Sequence, residues 1–253
     1  MTAIAPGDLA YAQTPSFQRR VAAALETVRV AATHGHIGVC FSGGKDSLVT
    51  LDLVRRVQPD ASAAFFDSGC EYPDTYEVVR YYGADTIEQE ISLLDLCRYG
   101  GYWGYQNAIA PEANVDFGAF MIGEPSARFT ENWHLDVQAV GLRAEESSGR
   151  RKSLHRHDRG TLYPLKGGTW RLCPIAFWRT DDVWAYIASR KLCYNAIYDK
   201  MAEAGIPRFE WRVSPLLGVA ALQFTPRITF IRMFEPEIFE RLAAEFPYLR
   251  RFG

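Results

Sequence analysis

The chain has 253 residues, and its 28 Lys and Arg residues nearly balance its 30 Asp and Glu residues, giving a net charge of −2. This balance excludes an overall basic surface of the kind that binds nucleic acid, so any anion must be bound by a local cluster. No stretch reaches the roughly 18 apolar residues of a membrane span, and residues 1–15 lack a secretory signal, so we expect a cytoplasmic protein without membrane contact.

Helices and strands are predicted to alternate along the chain. Apolar residues at helical spacing predict a helix over residues 16–33, and a short apolar run predicts a first strand over residues 36–41. Two glycines follow that strand, which indicates a tight turn into the next helix. The pattern then predicts helices over residues 46–57, 73–82, 180–189 and 236–246, and strands over residues 61–66, 84–91, 137–142 and 170–175.

This alternation indicates an α/β fold with a parallel, twisted sheet and helices on both faces. We expect residues 1–199 to form this domain, with an aromatic, aperiodic insertion at residues 99–133. Residues 200–253 are predicted to form a small, mostly helical C-terminal extension that packs on it. Ligands of such sheets bind at the carboxyl ends of the strands, so we expect the functional site there.

The segment between the first predicted strand and its helix has the composition of a phosphate-binding loop. Its two glycines leave room for backbone N–H groups to close around phosphate oxygens, and the helix N-terminus adds a partial positive charge. The Walker pattern GxxxxGK[ST] and the pattern GxGxxG are both absent, which excludes motor-type NTPases and dinucleotide folds. The predicted loop consists of Ser42, Gly43, Gly44, Lys45, Asp46 and Ser47.

The hexapeptide SGGKDS resembles the pyrophosphate loop of the adenine nucleotide α-hydrolase-like superfamily, the PP-loop ATP pyrophosphatases. Other motifs, in matching order, resemble the phosphoadenosine phosphosulfate (PAPS) reductase family within it. These motifs are FDSG at 66–69, YPDTY at 72–76, GLR at 141–143 with ES at 146–147 and Arg150, PIAFW at 174–178, DVWAYI at 182–187 and YNAIYD at 194–199.

The resemblance implies a Rossmann-related fold that binds ATP and Mg²⁺ and cleaves ATP at the α-phosphate to AMP and pyrophosphate. It implies that the loop holds the terminal phosphates and that Mg²⁺ bridges phosphate oxygens, touching Asp46 or Asp67 directly or through water. The catalytic residues that it implies are Lys45, Asp46, Arg143 and Arg150, and the nucleotide contacts beyond the loop are Asp67, Ser68, Gly141 and Glu146.

The cysteines separate this chain from the reductases that it resembles. Reductases of that family carry a reactive cysteine in a C-terminal Glu-Cys-Gly-His-like tail, whereas the last cysteine here is Cys193. The five cysteines lie far apart without a CxxC pair, which predicts free thiols and no iron–sulfur cluster. We therefore expect an ATP pyrophosphatase that activates an acceptor by adenylation, in a sulfur-transfer or DNA phosphorothioate-type modification pathway.

Three other functions stay open at this point. They are a sulfonucleotide reductase with a non-standard thiol, for which Cys70 is the candidate, an adenylyltransferase resembling FAD synthetase, and a non-catalytic nucleotide-sensing subunit. The acceptor is expected to be a nucleic acid or a sulfur-carrier protein, and the chain to act as a homodimer or within a modification complex. The basic segment at residues 150–159 suits a lid over the phosphates, a nucleic-acid contact or a solvated charge run.

Overall fold

The computed structural model describes residues 2–111, 115–156, 160–213 and 225–252. Its strands are β1 (Ile37–Cys40), β2 (Ser62–Asp67), β3 (Asp85–Glu88), β4 (Val137–Val140), β5 (Leu162–Pro164) and β6 (Trp170–Leu172). Its α-helices are α1 (Pro6–Ala12), α2 (Pro15–Ala32), α3 (Lys45–Arg55), α4 (Pro73–Tyr81), α5 (Leu93–Gly100), α6 (Glu124–Asn132), α7 (Ser148–Arg156), α8 (Thr180–Arg190), α9 (Ile197–Glu203), α10 (Thr225–Phe234) and α11 (Pro236–Glu245).

The six strands form one sheet in the order β3-β2-β1-β4-β6-β5. The chain runs from β1 through β2 to β3 on one side and then returns to place β4 on the other side of β1. The order therefore reverses between β1 and β4, and such a switch point opens a crevice at the carboxyl ends of the strands. This topology confirms the predicted α/β class.

One edge of the sheet differs from the wholly parallel arrangement that the sequence predicts. The short strand β5 pairs antiparallel with β6, while the other strands run parallel to their neighbours. The reason is a tight hairpin, in which the N–H of Leu165 donates to the carbonyl of Thr169 over 2.7 Å. A hairpin of this length can only join antiparallel strands.

Helices cover both faces of the sheet. Helix α3 packs between α2 and α8 and lies on β1 and β4, and α2 lies on β6. Helix α6 lies on the other face across β1, β2 and β3. On that second face, the buried Gln138 of β4 accepts from Ser126 Oγ of α6 over 3.0 Å. The central strands β1 and β4 are buried on both sides, which explains why they appear in the sequence as short apolar runs rather than alternating ones.

The two ends of the chain pack on different parts of the domain. Near the N-terminus, Tyr11 of α1 donates to Asp182 of α8 over 2.7 Å. Near the C-terminus, the ring of Phe246 stacks edge-on against Trp103 of the predicted insertion, with ring centroids 5.3 Å apart. Among the described residues, no helix has both the length and the apolar character that crossing a membrane requires.

Candidate nucleotide-binding site

The predicted loop joins β1 to α3 at the switch point of the sheet. Gly43 has a φ of 68°, which L side chains rarely adopt, so the second position of the loop favours glycine. The hydroxyl of Ser47 donates to the carbonyl of Gly44 over 3.0 Å and accepts from the N–H of Ser42 over 3.1 Å. Ser47 therefore holds the turn in shape.

A second glycine brings β4 against the start of α3. A Cβ on Gly141 would lie 2.6 Å from the carbonyl carbon of Asp46 and 2.7 Å from the nitrogen of Ser47. No side chain fits at those distances, so the end of β4 can approach the first helical turn only because residue 141 is glycine. Gly141 lines the same cleft as the loop, and its nucleotide contact stays a prediction.

Two cations share one carboxylate at the N-terminus of α3. Asp46 Oδ2 lies 2.9 Å from Lys45 Nζ, and Asp46 Oδ1 accepts from Arg143 Nε over 2.6 Å. Burial acts to raise the pKa of Asp46, but the adjacent Lys45 and Arg143 outweigh it and lower the pKa below its ordinary value. Asp46 is therefore ionised at neutral pH and orients both cations.

The segment around α9 closes over Lys45. The backbone N–H of Lys45, one of the first-turn groups without a helical partner, donates to the hydroxyl of Tyr198 over 2.9 Å. Lys45 Nζ also donates to the carbonyl of Trp211 over 3.4 Å, and only 1% of Lys45 is exposed. Asn195 reaches the loop from the same side, where its amide donates to Thr75 Oγ1 over 3.0 Å and to the Gly43 carbonyl over 3.5 Å.

Tyr198 and Asn195 were not among the predicted site residues. Both belong to the YNAIYD motif, which marked them as part of the resemblance but gave no sign that they touch the loop. Their side chains reach the loop across 153 and 152 residues of sequence, respectively. A local sequence pattern carries no information on such a long-range contact.

The loop lines a cleft of about 320 Å³. A smaller pocket of about 250 Å³ adjoins it, and Glu146 and Arg212 line both. Arg143 lines the smaller pocket, while Gly43 and Asp67 are absent from both linings. The predicted site residues that line the cleft are Ser42, Gly44, Lys45, Asp46, Ser47, Ser68, Gly141, Glu146 and Arg150.

Arg150 lies on α7, where its guanidinium pairs with Glu146. The side chain of Glu146 is 7% exposed, and Arg212 Nη2 lies 3.9 Å from its other oxygen. A negative charge in the cleft would therefore lie near Arg150 and Arg212, whose guanidinium groups already form ion pairs with Glu146. Helix α7 carries most of the basic segment predicted at residues 150–159, and residues 157–159 lie outside the described part of the chain.

The two predicted metal ligands are already engaged. Each oxygen of Asp46 faces a cation, and Asp67 Oδ1 accepts from the hydroxyl of Tyr76 and from the N–H of Gly69, each over 2.9 Å. Among the described residues, no group of three or more His, Cys, Asp or Glu side chains is placed to hold a metal ion. The side chains that the structure describes thus form no protein cage for Mg²⁺. A contact of Mg²⁺ with Asp46 or Asp67, directly or through water, stays a prediction.

Glu71 is a lining residue that the sequence reading missed. It accepts from Ser68 Oγ over 2.6 Å, and both side chains line the cleft. Burial raises the pKa of Glu71 to about 8; the Asp67 carboxylate adds to this shift, and the Ser68 hydrogen bond opposes it. In the sequence, only its position between the FDSG and YPDTY motifs suggested that Glu71 belongs to the site. The carboxyl keeps its proton because the folded chain buries it.

We expect Glu71→Gln to stabilise the protein at pH 8 and to leave its stability nearly unchanged near pH 5. The carboxyl has a pKa of about 8 in the folded chain against an ordinary value of 4.5, so the folded state holds the proton more tightly. The free energy of unfolding of the parent therefore falls as the pH rises from 4.5 to 8. That of Glu71→Gln lacks this dependence, because a carboxamide does not titrate. The difference in the free energy of unfolding should reach on the order of 4 kcal/mol at pH 8.

Urea unfolding of both proteins at pH 5 and pH 8 measures this difference. Glu88→Gln, at an exposed position on β3, controls for the loss of one carboxylate from the net charge. A parent and a Glu71→Gln variant that unfold at the same urea concentration at both pH values would show that Glu71 titrates normally.

Comparisons with known proteins agree with the predicted resemblance. The family model "phosphoadenosine phosphosulfate reductase domain" matches residues 36–233. The chain is 28% identical over 221 residues to an uncharacterised protein of Methanocaldococcus jannaschii, covering 86% of this chain and 48% of that protein. It is 26% identical over 198 residues to a phosphoadenosine 5′-phosphosulfate reductase of Xylella fastidiosa, covering 74% of this chain and 76% of that enzyme.

The chain is 27% identical over 168 residues to adenosine 5′-phosphosulfate reductase 2 of Bacillus subtilis, covering 63% of this chain and 65% of the relative. It thus spans about half to two thirds of the length of some curated relatives. A PAPS reductase from Candida auris, solved with phosphate, has the same fold, with a TM-score of 0.52, 19% identity, and coverage of 70% of this chain and 84% of that one. With the family model covering most of its length, the chain belongs to the phosphoadenosine phosphosulfate reductase domain family.

Proposed function

We propose that this protein binds ATP with the β- and γ-phosphates in the loop at residues 42–47 and cleaves it at the α-phosphate. The observation that carries the proposal is the glycine loop at the switch point of the sheet, beside Lys45 and Arg150. A helix N-terminus and a glycine turn together bind phosphate through backbone N–H groups, without the need for a larger basic surface.

The chemistry that these residues support is adenylation of an acceptor. A nucleophilic atom of the acceptor attacks the α-phosphorus, the bond from that phosphorus to the bridging oxygen breaks, and pyrophosphate leaves with the electron pair. Negative charge accumulates on the pyrophosphate, where Lys45 and Arg150 stabilise it. Arg143 contributes indirectly, since it lies against Asp46 and keeps that carboxylate, and with it Lys45, in place.

Mg²⁺ enters this proposal with the nucleotide. An ion of this kind is commonly held by substrate phosphates and water with few protein ligands. The charge it would neutralise lies on the same phosphates that the loop cradles. The acceptor that fits the proposal is a nucleic acid or a sulfur-carrier protein. Helix α7, whose Arg150 lines the cleft, carries further basic residues that suit either acceptor.

Product analysis tests the proposal. The purified protein is incubated with ATP and Mg²⁺, with and without an added nucleophile such as hydroxylamine, and the phosphate products are identified. We expect AMP or an adenylated nucleophile together with pyrophosphate. Release of ADP and phosphate would contradict the proposal, as would sulfite formed in a parallel incubation with PAPS and a dithiol by a protein that does not cleave ATP. A dinucleotide formed when FMN is added would leave the cleavage at the α-phosphate in place and would contradict only the proposed acceptor.

Sulfonucleotide reduction is the second candidate function, because the family model is that of a reductase domain. It needs a reactive thiol at the cleft. Cys40 lines the cleft and Cys70 does not, although the sequence had suggested Cys70. Burial raises the pKa of Cys40 to about 11 and that of Cys70 to about 12, the latter with a contribution from Glu71. Both thiols are therefore protonated at neutral pH and are poor nucleophiles.

We expect Cys70→Ser to release AMP and pyrophosphate from ATP at close to the parental rate, because attack at a phosphorus requires no thiol from the protein. Cys40→Ser, which changes the thiol that lines the cleft, should behave in the same way. Rates are compared after each variant has been shown to bind ATP. A variant that binds ATP normally but yields no product would assign its cysteine a role as nucleophile or sulfur carrier.

A further inference from the structure

Among the described residues, three carboxylates line the cleft, and they differ in what they face. Asp46 and Glu146 each pair with two basic side chains. The third carboxylate, Glu71, forms no ion pair within the described part of the chain. A carboxylate that is held between two cations has little tendency to take up a proton. Glu71 is therefore the lining carboxylate best suited to act as a base.

One oxygen of Glu71 is held in place and the other is open. Oε1 accepts from Ser68 Oγ over 2.6 Å, which orients the carboxyl. Oε2 has no hydrogen-bond partner in the ranges that the structure describes, yet it is not one of the buried atoms that lack a partner, so it keeps accessible surface. Because the side chain is half-buried and lines the cleft, Oε2 is the atom through which Glu71 can act on a bound molecule.

The segment that carries Glu71 leads into a contact with the phosphate loop. Four residues later, Thr75 in the first turn of α4 lies against the loop, with its Cγ2 3.0 Å from the position that a Cβ on Gly43 would take. Its hydroxyl accepts from Asn195, which also donates to the Gly43 carbonyl. Glu71 therefore lines the cleft beside the loop, in the region that the α-phosphate enters when the loop holds the β- and γ-phosphates.

The titratable groups around Glu71 leave it as a strong base. They are Asp67 at the end of β2, Cys70 in the turn that follows and Tyr76 of α4, while Arg241 of α11 lies near Cys70. Burial raises the pKa of Glu71 to about 8, with a smaller contribution from Asp67. Burial also raises the pKa values of Cys70 and Tyr76, so neither of them titrates near pH 8. A base whose pKa lies near the working pH is well matched to proton transfer.

We propose that Glu71 is the general base of the adenylation step. As the nucleophilic atom of the acceptor attacks the α-phosphorus, its proton moves to Glu71 Oε2, and pyrophosphate leaves with the electron pair of the broken bond. Glu71 releases the proton to solvent after the products leave. A nucleophile that needs a base carries a proton, so the acceptor presents an amine, a hydroxyl or a thiol rather than a carboxylate. This inference rests on the proposed function and adds to it the class of nucleophile.

Pyrophosphate release from ATP and Mg²⁺ at pH 8, with hydroxylamine as the acceptor, tests this role. Glu71→Gln keeps the size of the side chain and an oxygen that accepts from Ser68, but the amide takes up no proton. We expect it to bind ATP at pH 7 within about twofold of the parent and to release pyrophosphate at least about a hundredfold more slowly. Glu88→Gln, at an exposed position on β3, should keep the parental rate.

The pH dependence of the rate separates a base from a residue that merely supports the fold. The ionised carboxylate takes up the proton, so the parental rate should rise with pH through the pKa of Glu71, and the residual rate of Glu71→Gln should lack this rise. The concentration of unprotonated hydroxylamine is held constant across the series. Acetate in place of hydroxylamine has no proton to lose at its nucleophilic oxygen and should not accelerate pyrophosphate release.

A folded Glu71→Gln variant that keeps the parental rate or its pH dependence overturns the role of Glu71. A variant that loses ATP affinity together with turnover also overturns it, since this result would assign Glu71 to binding. Acceleration by acetate overturns the inferred class of nucleophile. A parent that releases no pyrophosphate from ATP overturns the proposed function as well.

Discussion

Gly44→Val is expected to abolish ATP binding while leaving the fold intact. Gly44 has an extended backbone, with a φ of −87°, so a side chain causes no backbone strain. A Cβ there would lie 3.1 Å from Val213 Cγ2 and 3.3 Å from both Ser42 Oγ and the Tyr198 hydroxyl. The larger valine side chain would fill the space at the loop where the phosphates are expected and would push Tyr198 away from the N–H of Lys45.

Calorimetric titration with ATP measures the loss, which we expect to exceed about a hundredfold, equivalent to about 2.7 kcal/mol. Gly7→Val is the matched control, because a Cβ at Gly7 meets no other atom within 4 Å, and it should bind ATP like the parent. Thermal unfolding establishes that both variants are folded. A folded Gly44→Val variant with parental ATP affinity would show that the phosphates do not occupy the loop.

Arg143→Ala is expected to lower the free energy of unfolding by about 3–5 kcal/mol, since it leaves a buried carboxylate short of a partner. Only 2% of the Arg143 side chain is exposed, and its Nε donates to Asp46 over 2.6 Å. Its Nη1 donates to Glu145 over 2.6 Å, and Glu145 in turn accepts from Thr180 at the start of α8. Removal of the guanidinium therefore loosens both the phosphate loop and the junction with α8.

Urea unfolding measures this effect, with Arg29→Ala as the control. Arg29 pairs with Glu26 on the surface of α2, where both side chains are more than half exposed, so its removal should change stability by less than about 0.5 kcal/mol. Where Arg143→Ala remains folded, its ATP affinity should also fall, because Asp46 no longer orients Lys45. An Arg143→Ala variant as stable as the parent would show that Lys45 or another group is sufficient to balance the negative charge of Asp46.

Short-range sequence patterns were sufficient to predict the strand, the loop and the helix that form the site. The apolar run of β1, the two glycines after it and the polar start of α3 follow one another directly in the chain. Each is a short-range preference of the backbone, so the loop could be placed at a strand-to-helix junction before any tertiary contact was known. The alternation of strands and helices likewise determined the α/β class.

The direction in which a side chain points could not be predicted from its position at the end of a strand. Asp67 ends β2 at the expected edge of the sheet, yet its carboxylate accepts from Tyr76 instead of lining the cleft. Cys70 follows the same strand end and is only 1% exposed, packed in the apolar core. A strand end specifies the region that a residue reaches, whereas packing of the following loop decides which way the side chain points.

The sequence alone thus determined the fold class, the phosphate loop and the family, because each of these is encoded in residues that are adjacent or that recur as compact motifs. The tertiary structure alone decided that Asp46 joins Lys45 to Arg143, that Tyr198 caps the loop, and that Glu71 lies against Ser68 in the cleft. The physical reason is that hydrogen bonding and desolvation act between groups that are close in space. Their spacing along the chain does not reveal which of them will be buried together.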